Sequence, residues 1–526
     1  MASEEEETLI PLQQVQVAVL DMEWILSRLE GAVLQRFKDI WSLLGLPPRS
    51  RPKESSRVIP VADANLLRAA GVITDASSLE TGSWVVPFSV VEEKPTGKRR
   101  RWIAWPREKN KDDPYEAEVP LGHISRYLPA VLDEAASCLD LKASFFQVEL
   151  PLETRRFFRC RVADNSIVEL TRLPMGYKVS PEILQTVTSA IAGVPGNVKP
   201  ALAAPCELRL DVWIDNIRIS GKIKEVVQWE RQVRHWAEEC HATIGEVISG
   251  AHSYTFLGVV FDHSSRSVAL SKKCIGKLRD IRSLRLWTVA EMEVAVSRFL
   301  YAAAILGVRL TAFFFFLKAV RRRLSALNRG LISLTEPAHL PRSATREGQL
   351  LLRILLRNEK RIMTKTVAVS ATMITDASLH GWGAIMFLES GEVKIAGAPW
   401  MTPPTLIMQA EARAVRLALL AFAEILPKHV KVFVDNTSLQ YSAQKGHAKS
   451  YALTWELDQI LKILDSRGVQ ASFEYVKSRD NPVDGLSRGA VFTTADLAKG
   501  FQLAKGSGGF WRGRDSRICH FVSPAG

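Results

Sequence analysis

The clearest alternation of apolar and polar residues lies near the middle of the chain. Apolar side chains occupy every second position from Leu208 to Ile214 and resume at Ile217, with Asp215 and Asn216 between the two runs. A period of two predicts strands, because successive side chains of a strand point to opposite faces. Asp and Asn tolerate the backbone of a tight hairpin, so this pair forms either a plain turn or a carboxylate placed at a hairpin tip for a metal ion.

Near the start of the chain, apolar residues recur every three and four positions, which predicts an amphipathic helix. The helix is expected to cover residues 26–46, because Pro47 and Pro48 cannot continue it. A basic, serine-containing linker follows at residues 49–57. Residues 1–57 are therefore expected to form an N-terminal helical extension whose role is docking.

The rest of the chain changes character three times. Residues 58–262 mix short strands with helices, and residues 263–365 are helical and strongly basic. Residues 366–490 follow the order strand, strand, helix, strand, helix, strand or loop, helix, and residues 491–526 form a tail that is expected to be frayed. A chain of 526 residues exceeds one ordinary domain, since domains commonly hold roughly 100–200 residues. We therefore expect a multidomain protein of the α+β and α/β classes.

The charge balance narrows the range of partners. Lys and Arg outnumber Asp and Glu, 69 to 56, which leaves a formal net charge of +13. An excess of this size points to a polyanion such as nucleic acid, although a generally basic solvated surface gives the same composition.

The cysteine pattern and the hydropathy indicate an intracellular protein, cytoplasmic or nuclear, with no membrane partner. The six cysteines are scattered and contain no Cys-x-x-Cys pair, which argues against a structural zinc site or a disulfide framework. An acidic run at residues 4–7 with no apolar core is unlike a signal peptide. The most apolar segment, residues 299–320, contains Arg309 and fits a buried helix pair better than a membrane span.

Asp140 is the natural partner of Asp215 in a metal site. It lies in the apolar segment at residues 137–141 and would end a strand. Nucleotidyl transfer needs two Mg²⁺ ions about 3.5–4 Å apart, and Mg²⁺ prefers a few carboxylate oxygens with water and phosphates as its other ligands. Either residue alone is more often a turn or cap residue, so the segments around the pair decide the interpretation.

Three further segments resemble the boxes of reverse transcriptases, in the same order. Residues 173–191 (LPMGYKVSPEILQTVTSAI) resemble the Leu-Pro-x-Gly-x-x-x-Ser-Pro segment that packs against the templating base and the incoming nucleotide. Residues 94–110 (KPTGKRRRWIAWPREKN) resemble the fingers hairpin, and residues 253–262 (SYTFLGVVFD) resemble the Phe-Leu-Gly strand that grips the primer. The resemblance implies a right-hand polymerase with fingers, palm and thumb.

The resemblance also implies substrate-binding roles for single residues. Lys94 and Arg101 would grip the triphosphate, and Met175 and Gly176 belong to the segment at the templating base. Phe145 would lie under the sugar and exclude a ribose 2′-hydroxyl, which favours dNTPs. The other interpretation of Phe145 is a core aromatic residue.

Three positions depart from the family pattern. Trp213 replaces the usual Tyr under the primer end, and Met175 stands where many relatives have Phe or Gln. Asn216 replaces the second Asp of the Tyr-x-Asp-Asp box and offers a neutral carbonyl instead of a charge. Unit charges about 4 Å apart interact by ~4 kcal/mol at an effective dielectric of about 20, before hydration offsets most of it. We therefore expect Asp140 and Asp215 to bind the metals and Asn216 to weaken the polymerase or alter its metal selectivity.

A second set of acids lies at the ends of elements in the last third of the chain. Asp376 leaves a strand, Glu411 begins a helix, Asp435 ends the strand VKVFVD, and Asp484 follows Asn481 and Pro482 as predicted N-cap and first helical residue. Any one of them alone is more often a solvent-facing acid, but together they fit a two-metal hydrolytic site. Their order resembles the Asp-Glu-Asp-Asp set of ribonuclease H.

The end of this set resembles retrotransposon enzymes in particular. NPVDGLSR at residues 481–488 is similar to their Asn-Pro-x-x-Asp-x-Leu-Ser-Arg ending. The family often has a mobile His before the last Asp, whereas residues 477–480 contain none, and His447 is interpreted as a loop histidine. Product release would then depend on another group.

Together, the two constellations resemble the reverse transcriptase and ribonuclease H of a retrotransposon, over roughly residues 80–490. The details resemble the DIRS (tyrosine-recombinase) group, and within it the VIPER branch. The resemblance implies two Mg²⁺ ions per active site with Mn²⁺ as a substitute. It implies an RNA template, a DNA primer, RNA–DNA hybrid and dNTPs as partners, with particle proteins of the element as further ones.

The basic connector has a role in this interpretation. Lys272, Lys273 and the arginines at 321–323 would track nucleic-acid phosphates, with an ordinary solvated helix face as the alternative. Two other functions stay open. One is a nucleic-acid-binding protein with a decayed polymerase site that retains hybrid binding or ribonuclease H activity. The other is a structural particle component that docks through residues 1–57.

Overall fold

The chain is a mixed α/β protein with several sheets. The computed structural model describes residues 16–49, 58–76, 90–93, 100–104, 106–117, 121–365, 368–404, 406–446, 448–506 and 519–521. Contacts divide the chain into two compact units, Met1–Ala269 (unit 1) and Leu270–Gly526 (unit 2).

Unit 1 contains short helices and several small sheets. Its helices are α1 (Met22–Arg28), α2 (Gly31–Ser42), α3 (Val61–Ala69), α4 (Arg107–Asp112), α5 (Ser180–Ala192) and α6 (Ile223–Glu239). Its strands are β1 (Ile73–Asp75), β2 (Val90–Glu93), β3 (Arg100–Ile103), β4 (Ala135–Leu141), β5 (Arg159–Arg161), β6 (Ile167–Leu170), β7 (Arg209–Trp213), β8 (Asn216–Gly221), β9 (Ile244–Ala251), β10 (Ser253–Phe256), β11 (Val259–Asp262) and β12 (Ser267–Leu270), which ends at the boundary.

The sheet that matters for function has the strand order β7-β8-β4-β9. Strands β7 and β8 form the predicted antiparallel hairpin, with Trp213 opposite Asn216. Strand β4 runs antiparallel to β8 on its other side, with Asp140 opposite Asn216. Helix α6 packs on β4, β8 and β9, and its Val226 and Val233 are fully buried. The sheet therefore brings the end of β4 beside the hairpin turn.

The N-terminal helix differs from its prediction, because residues 26–46 are not one continuous helix. Helices α1 and α2 are separated at Leu29, which makes an antiparallel bridge with Val198. Gly31 begins α2 with φ of +58°, a backbone conformation that favours glycine. The apolar period crosses the break because Ile25 and Phe37 are buried in the same core of unit 1. These helices therefore share that core.

Unit 2 combines a helical segment with one large sheet. Its helices are α7 (Lys272–Arg279), α8 (Val289–Leu306), α9 (Phe314–Asn328), α10 (Arg342–Arg357), α11 (Ile407–Ala421), α12 (Thr437–Lys445), α13 (Tyr451–Ser466), α14 (Asp484–Ser487) and α15 (Thr494–Gly506). Its strands are β13 (Arg361–Ile362), β14 (Ala371–Ala377), β15 (Gly381–Leu388), β16 (Val393–Pro399), β17 (His429–Val434), β18 (Gln470–Tyr475) and β19 (Cys519–Phe521).

The large sheet has the order β18-β17-β14-β15-β16-β19. Strands β14, β15 and β16 are antiparallel neighbours, whereas β17 runs parallel to β14 and to β18. The predicted order missed β16, whose sequence VKIAGAP is rich in small residues and lacks clear alternation. It also placed one helix after β17 where the chain forms α12 and α13.

The apolar segment at residues 299–320 lies in α8 and α9, which are packed helices as predicted. Phe299, Phe316 and Val320 are buried among neighbouring helices of unit 2. Arg309 lies between the two helices and forms an ion pair with Asp465 of α13. Among the helices that the structure describes, none is long and apolar enough to span a membrane.

Candidate carboxylate centres

Asp140 and Asp215, here called the hairpin pair, are neighbours at one end of the β7-β8-β4-β9 sheet. Asp140 is the next-to-last residue of β4 and lies opposite Asn216 in the register of the two strands. The N–H of Leu141 donates to the backbone carbonyl of Asp215 at 3.0 Å, which joins the end of β4 to the turn. The two acids that the sequence paired are therefore held together by backbone hydrogen bonds.

The Asp140 carboxylate is oriented by the start of strand β9. The backbone N–H of Glu246 donates a hydrogen bond to Asp140 Oδ1. A Cβ atom at the preceding Gly245 would lie 2.7 Å from the same oxygen, closer than nonbonded atoms approach. The absence of a side chain at Gly245 therefore gives the carboxylate its space, a role that the sequence did not reveal.

The Asp215 carboxylate accepts two hydrogen bonds from side chains. Ser144 Oγ donates to Oδ2 at 3.1 Å, and Asn216 Nδ2 donates to Oδ1 at 3.1 Å. The amide of Asn216 thus points a positive dipole at a carboxylate oxygen, where an aspartate would add a second negative charge. Fewer charges attract a cation less strongly, so the lower affinity for divalent metal ions that the sequence predicts for this pair stays a prediction.

The side chain of Gln185, in helix α5, forms two hydrogen bonds with the backbone of the hairpin turn. Its Oε1 accepts from the N–H of Ile214 at 2.5 Å, and its Nε2 donates to the carbonyl of Val212 at 2.9 Å. Ile214 has φ of +56°, and a β-branched residue is rarely found there because its side chain crowds the backbone. The Gln185 hydrogen bonds help to keep the turn in this conformation, and the sequence analysis missed them.

The predicted substrate-binding residues differ in their burial and in their contacts. Phe145 is partly buried against the core of unit 1, which leaves both of its interpretations open. Trp213 ends β7 and meets Tyr127 edge-to-face at 5.8 Å. Met175 is partly buried, and the carbonyl of Gly176 accepts from Asn110 Nδ2 at 2.9 Å.

The fingers residues are less fully described. Arg101 lies in β3, whose partner is β2. Lys94 lies outside the described residues. The structure therefore leaves the triphosphate roles of both residues as predictions.

Asp376, Glu411 and Asp435, here called the carboxylate triad, come together from three elements of unit 2. Asp376 lies in β14, and Asp435 directly follows β17, its parallel neighbour. Glu411 lies in α11, which packs across β14. One carboxylate oxygen from each residue lies within 4.8 Å of the other two. The triad contains three of the four acids that the sequence grouped.

Asp484, the fourth acid, stands beside the triad. It is the first residue of α14, and its carboxylate is bound by Arg488 at 2.8 Å. The helix begins at Asp484 with Val483 in the N-cap position, two residues later than predicted. Asn481 Oδ1 accepts a hydrogen bond from the N–H of Val483 at 3.1 Å. The charge of Asp484 still contributes to the raised pKa of Asp376, which places it within electrostatic reach.

The triad is a strained arrangement of acids. Burial, followed by the charges of Asp435 and Asp376, raises the pKa of Glu411 to about 9. Burial is also the largest cause of the raised pKa of Asp376, against which the hydrogen bond from Ser487 acts. Acids that are buried close to one another hold protons because their like charges repel.

Three polar residues near the end of the sheet orient the triad. Ser487 Oγ donates to Asp376 Oδ2 at 2.5 Å, and Asn481 Nδ2 donates to Oδ1 at 3.2 Å. Ser478 Oγ donates to Asp435 Oδ2 at 3.0 Å. The sequence analysis quoted Asn481 and Ser487 within a motif but gave them no contact with Asp376.

The donor set of the triad fits divalent cations. Glu411 is only 3% exposed, and its Oε2 atom is buried with no hydrogen-bond partner. Buried polar atoms are almost always hydrogen-bonded. An oxygen without a hydrogen-bond partner, next to two other carboxylates, is therefore a candidate ligand for a cation. Oxygen-only ligands are the choice of Mg²⁺ and Mn²⁺.

No family model and no curated protein matches the chain. Solved structures similar to it include a foamy viral protease-reverse transcriptase dRH in complex with double-stranded DNA, at 17% identity and a TM-score of 0.49 over 91% of this chain and 84% of that one. The foamy viral protease-reverse transcriptase in complex with dsDNA is 15% identical, with a TM-score of 0.48 over 89% of this chain and 98% of that one. The same protein in complex with RNA/DNA hybrid is also 15% identical, with a TM-score of 0.48 over 89% and 63%.

Proposed function

We propose that the chain is an RNA-directed DNA polymerase with ribonuclease H activity, with the polymerase centre in unit 1 and the nuclease centre in unit 2. The observation that carries the proposal is the carboxylate triad, in which three acids from separate elements lie within 4.8 Å and one buried oxygen has no partner. Such a group is costly to keep ionised in the absence of cations. Its substrate would be the RNA strand of an RNA–DNA hybrid.

In the nuclease centre, two bound Mg²⁺ ions would activate a water molecule and neutralise the charge that develops on the phosphate. Asp376, Glu411 and Asp435 would hold the ions, with Asp484 as a further ligand. Ser487 keeps Asp376 in one orientation through its hydrogen bond, and Ser478 does the same for Asp435. Positioning of this kind keeps the reacting groups aligned without reorganisation during the reaction.

In the polymerase centre, Mg²⁺ or Mn²⁺ would activate the primer 3′-hydroxyl and neutralise the leaving pyrophosphate. Asp140 and Asp215 would hold the metals at the end of the sheet. The hydrogen bond from Ser144 fixes one oxygen of Asp215 and leaves lone pairs on the carboxylate for ligation. RNA template, DNA primer and dNTPs are the substrates that this chemistry requires.

The finer assignment rests on sequence motifs. NPVDGLSR at residues 481–488 supports a retrotransposon enzyme, and the details of the chain support the DIRS group and its VIPER branch. Lys94, Arg101, Phe145, Met175, Gly176 and Trp213 are the proposed substrate contacts of the polymerase. Mg²⁺, at two ions per centre, is the proposed cofactor of both activities.

The first test reads both activities on one substrate. A DNA primer and an RNA template carry different 5′ fluorophores, so that extension and RNA cleavage appear in the same Mg²⁺ reaction. We expect Asp215→Ala to remove extension and leave cleavage, and Asp435→Asn to remove cleavage and leave extension. Glu424→Gln, at a side chain that is 93% exposed, is the matched control and should change neither. Loss of both readouts in each variant would contradict two separate centres.

The hydrogen bond from Asn216 to Asp215 favours a second candidate function. This candidate is a nucleic-acid-binding protein whose polymerase centre has decayed and whose nuclease survives. Extension that rises in Asn216→Asp and is stronger in Mn²⁺ than in Mg²⁺ for the natural chain would support a working polymerase with weak metal affinity. Hybrid binding without extension in either ion, for every variant, would establish the second candidate.

A further inference from the structure

A groove with a basic lining lies in unit 2, and neither proposed reaction uses it. It has a volume of about 1000 Å³. One wall is helix α9, and the other is formed by α12, the segment after it and the start of α13. Six cations line this site, here called the basic groove: Lys318, Arg321 and Arg322 on α9, Arg329 directly after α9, and Lys445 and Lys449 on the opposite wall.

The two walls of the basic groove are fastened to each other. The rings of Phe314 and Phe315 at the start of α9 meet the ring of Tyr451, which begins α13, at 5.5 and 5.3 Å. Just before α9, Thr311 donates a hydrogen bond to Asp458 of α13 at 2.9 Å. The groove is thus built by packed helices, and its two rows of cations face a common space.

The charge of the basic groove selects an anionic ligand. Among the described residues that line it, none is acidic. Lys445 has its ammonium group 4.1 Å from the ring centroid of Tyr441, and Lys318 lies 5.3 Å from that of Phe314. Cations placed on aromatic rings keep their full charge, so two opposed rows of them favour a chain of negative groups.

The lining also offers surfaces for bases. Tyr441 of α12 is 59% exposed and lines the groove, and Met408 and Leu453 are apolar residues of the same lining. Aromatic rings between cations are the pattern by which proteins bind single-stranded nucleic acid, because bases stack while phosphates meet the charges. A volume at the upper end of small-ligand pockets, roughly 300–1000 Å³, is large enough for a few nucleotides of one strand.

Helix α12 leads from the carboxylate triad to the basic groove. The helix begins at Thr437, two residues after Asp435, and Ser438 of its first turn already lines the groove. Lys445 is the last residue of α12. At about 1.5 Å per residue this path is on the order of 10 Å long, which corresponds to roughly three nucleotides at about 3.4 Å each.

We propose that the basic groove binds single-stranded RNA that continues from the strand held at the carboxylate triad. The identity of that strand rests on the proposed ribonuclease H function. Phosphates lie between the cations of α9 and those of Lys445 and Lys449, and a base stacks on Tyr441. The groove thereby retains the RNA strand beyond the end of a hybrid.

The test measures binding of hybrids with RNA overhangs of zero, two, four and eight nucleotides at both ends. The protein is the full chain with Asp376→Asn, which prevents cleavage. We expect affinity to rise by about tenfold once the RNA overhang exceeds roughly three nucleotides, and an equal DNA overhang to give no such rise. A gain that is the same for DNA overhangs, or absent for both, would overturn the proposal.

Variants that remove charges test whether the increase in affinity for RNA overhangs depends on the basic groove. Arg322→Ala with Lys445→Ala and Lys449→Ala should abolish it and lower the slope of log affinity against log salt by about 2, since each phosphate contact on a single strand contributes about 0.7. The matched control, Arg353→Ala with Arg357→Ala and Lys428→Ala, removes the same charge from exposed positions outside the groove and should keep the gain. Equal losses in both sets, or loss of affinity for blunt hybrids alone, would contradict a single-strand site.

Variants of Tyr441 test base stacking separately from charge. Tyr441→Leu should lower the affinity for overhangs by about fivefold or more without changing the salt slope, whereas Tyr441→Phe should retain it, because the ring stacks on a base. Equal behaviour of the two variants would exclude stacking and overturn that part of the proposal.

Cleavage of a blunt hybrid by the chain with an intact triad is measured separately. Absent cleavage with a persistent overhang gain would reject the proposed nuclease and leave the groove as an RNA-strand site. Cleavage without the gain would reject the groove and leave the nuclease.

Discussion

At the scale of single residues, Glu411 is a buried carboxyl group whose ionisation is unfavourable in the folded chain. Burial raises its pKa from an ordinary value of 4.5 to about 9. A carboxyl with a raised pKa in the folded state favours folding while it is protonated, and this contribution is lost as the pH rises from about 4.5 through about 9. Without divalent cations, unit 2 should therefore become less stable over that range.

Glu411→Gln should remove this pH dependence. The uncharged amide is not ionised in either state, so the difference in unfolding free energy between this variant and the natural chain should change by about 3 kcal/mol between pH 4.5 and 7 in chelating buffer. Urea unfolding at a series of pH values measures it, with Glu424→Gln as the exposed control. Parallel pH profiles for Glu411→Gln and the natural chain would show that Glu411 ionises freely in the folded protein.

Asn216 affects the charge of the hairpin pair but not the formation of the hairpin. The hairpin forms with Asn216 in the strand register, so folding does not need an aspartate there. The site loses one negative charge and gains an amide hydrogen bond to Asp215. The consequence for metal affinity depends only on residue type and stays a prediction from the sequence.

At the scale of elements, strand β9 positions Asp140 of the hairpin pair through its backbone. The Glu246 N–H and the bare Cα of Gly245 hold Asp140 on the adjacent strand. Helix α5 contributes Gln185 to the turn in a similar way. These contacts join residues that are far apart in sequence, so no local pattern reveals them.

Gly245→Ala should therefore damage the polymerase and spare the nuclease. The new methyl group would meet Asp140 Oδ1, and the carboxylate would have to move. We expect extension to fall by about tenfold or more, since a displacement of about 1 Å in a reacting group can cost about a hundredfold. Primer extension and hybrid cleavage are measured together.

Gly276→Ala is the control for that substitution, because a Cβ there meets no atom within 4 Å. It should leave both activities unchanged and stabilise helix α7 by up to about 1 kcal/mol. Unchanged extension in Gly245→Ala would show that Asp140 tolerates the displacement or does not act in catalysis.

Prediction from sequence succeeded for elements with strong periodicity and failed where tertiary contacts decide. The β7–β8 hairpin follows from the alternation on either side of Asp215 and Asn216. The break at Leu29 and strand β16 do not, because the first depends on a bridge to Val198 and the second on small residues that fit against β15.

At the scale of the whole molecule, two carboxylate centres lie in two compact units of one chain. The acids themselves were predictable, since Asp140, Asp215, Asp376 and Asp435 each lie at or near the end of an apolar strand. Their supporting residues were not, because Ser487 and Gln185 act only through the fold. Arg321 and Arg322 of the basic groove belong to the run predicted to track phosphates, but the groove itself was not predicted, since its two walls are separated by more than a hundred residues of sequence.

The most direct measurement is hydrolysis of the RNA strand in an RNA–DNA hybrid as a function of Mg²⁺ concentration, for the natural chain, Asp435→Asn and Glu424→Gln. We expect the natural chain and Glu424→Gln to cut the RNA only when Mg²⁺ is present and to leave single-stranded RNA intact, and Asp435→Asn not to cut at any Mg²⁺ concentration. Cleavage that persists in chelator, or in Asp435→Asn, would contradict a metal-dependent nuclease at the carboxylate triad.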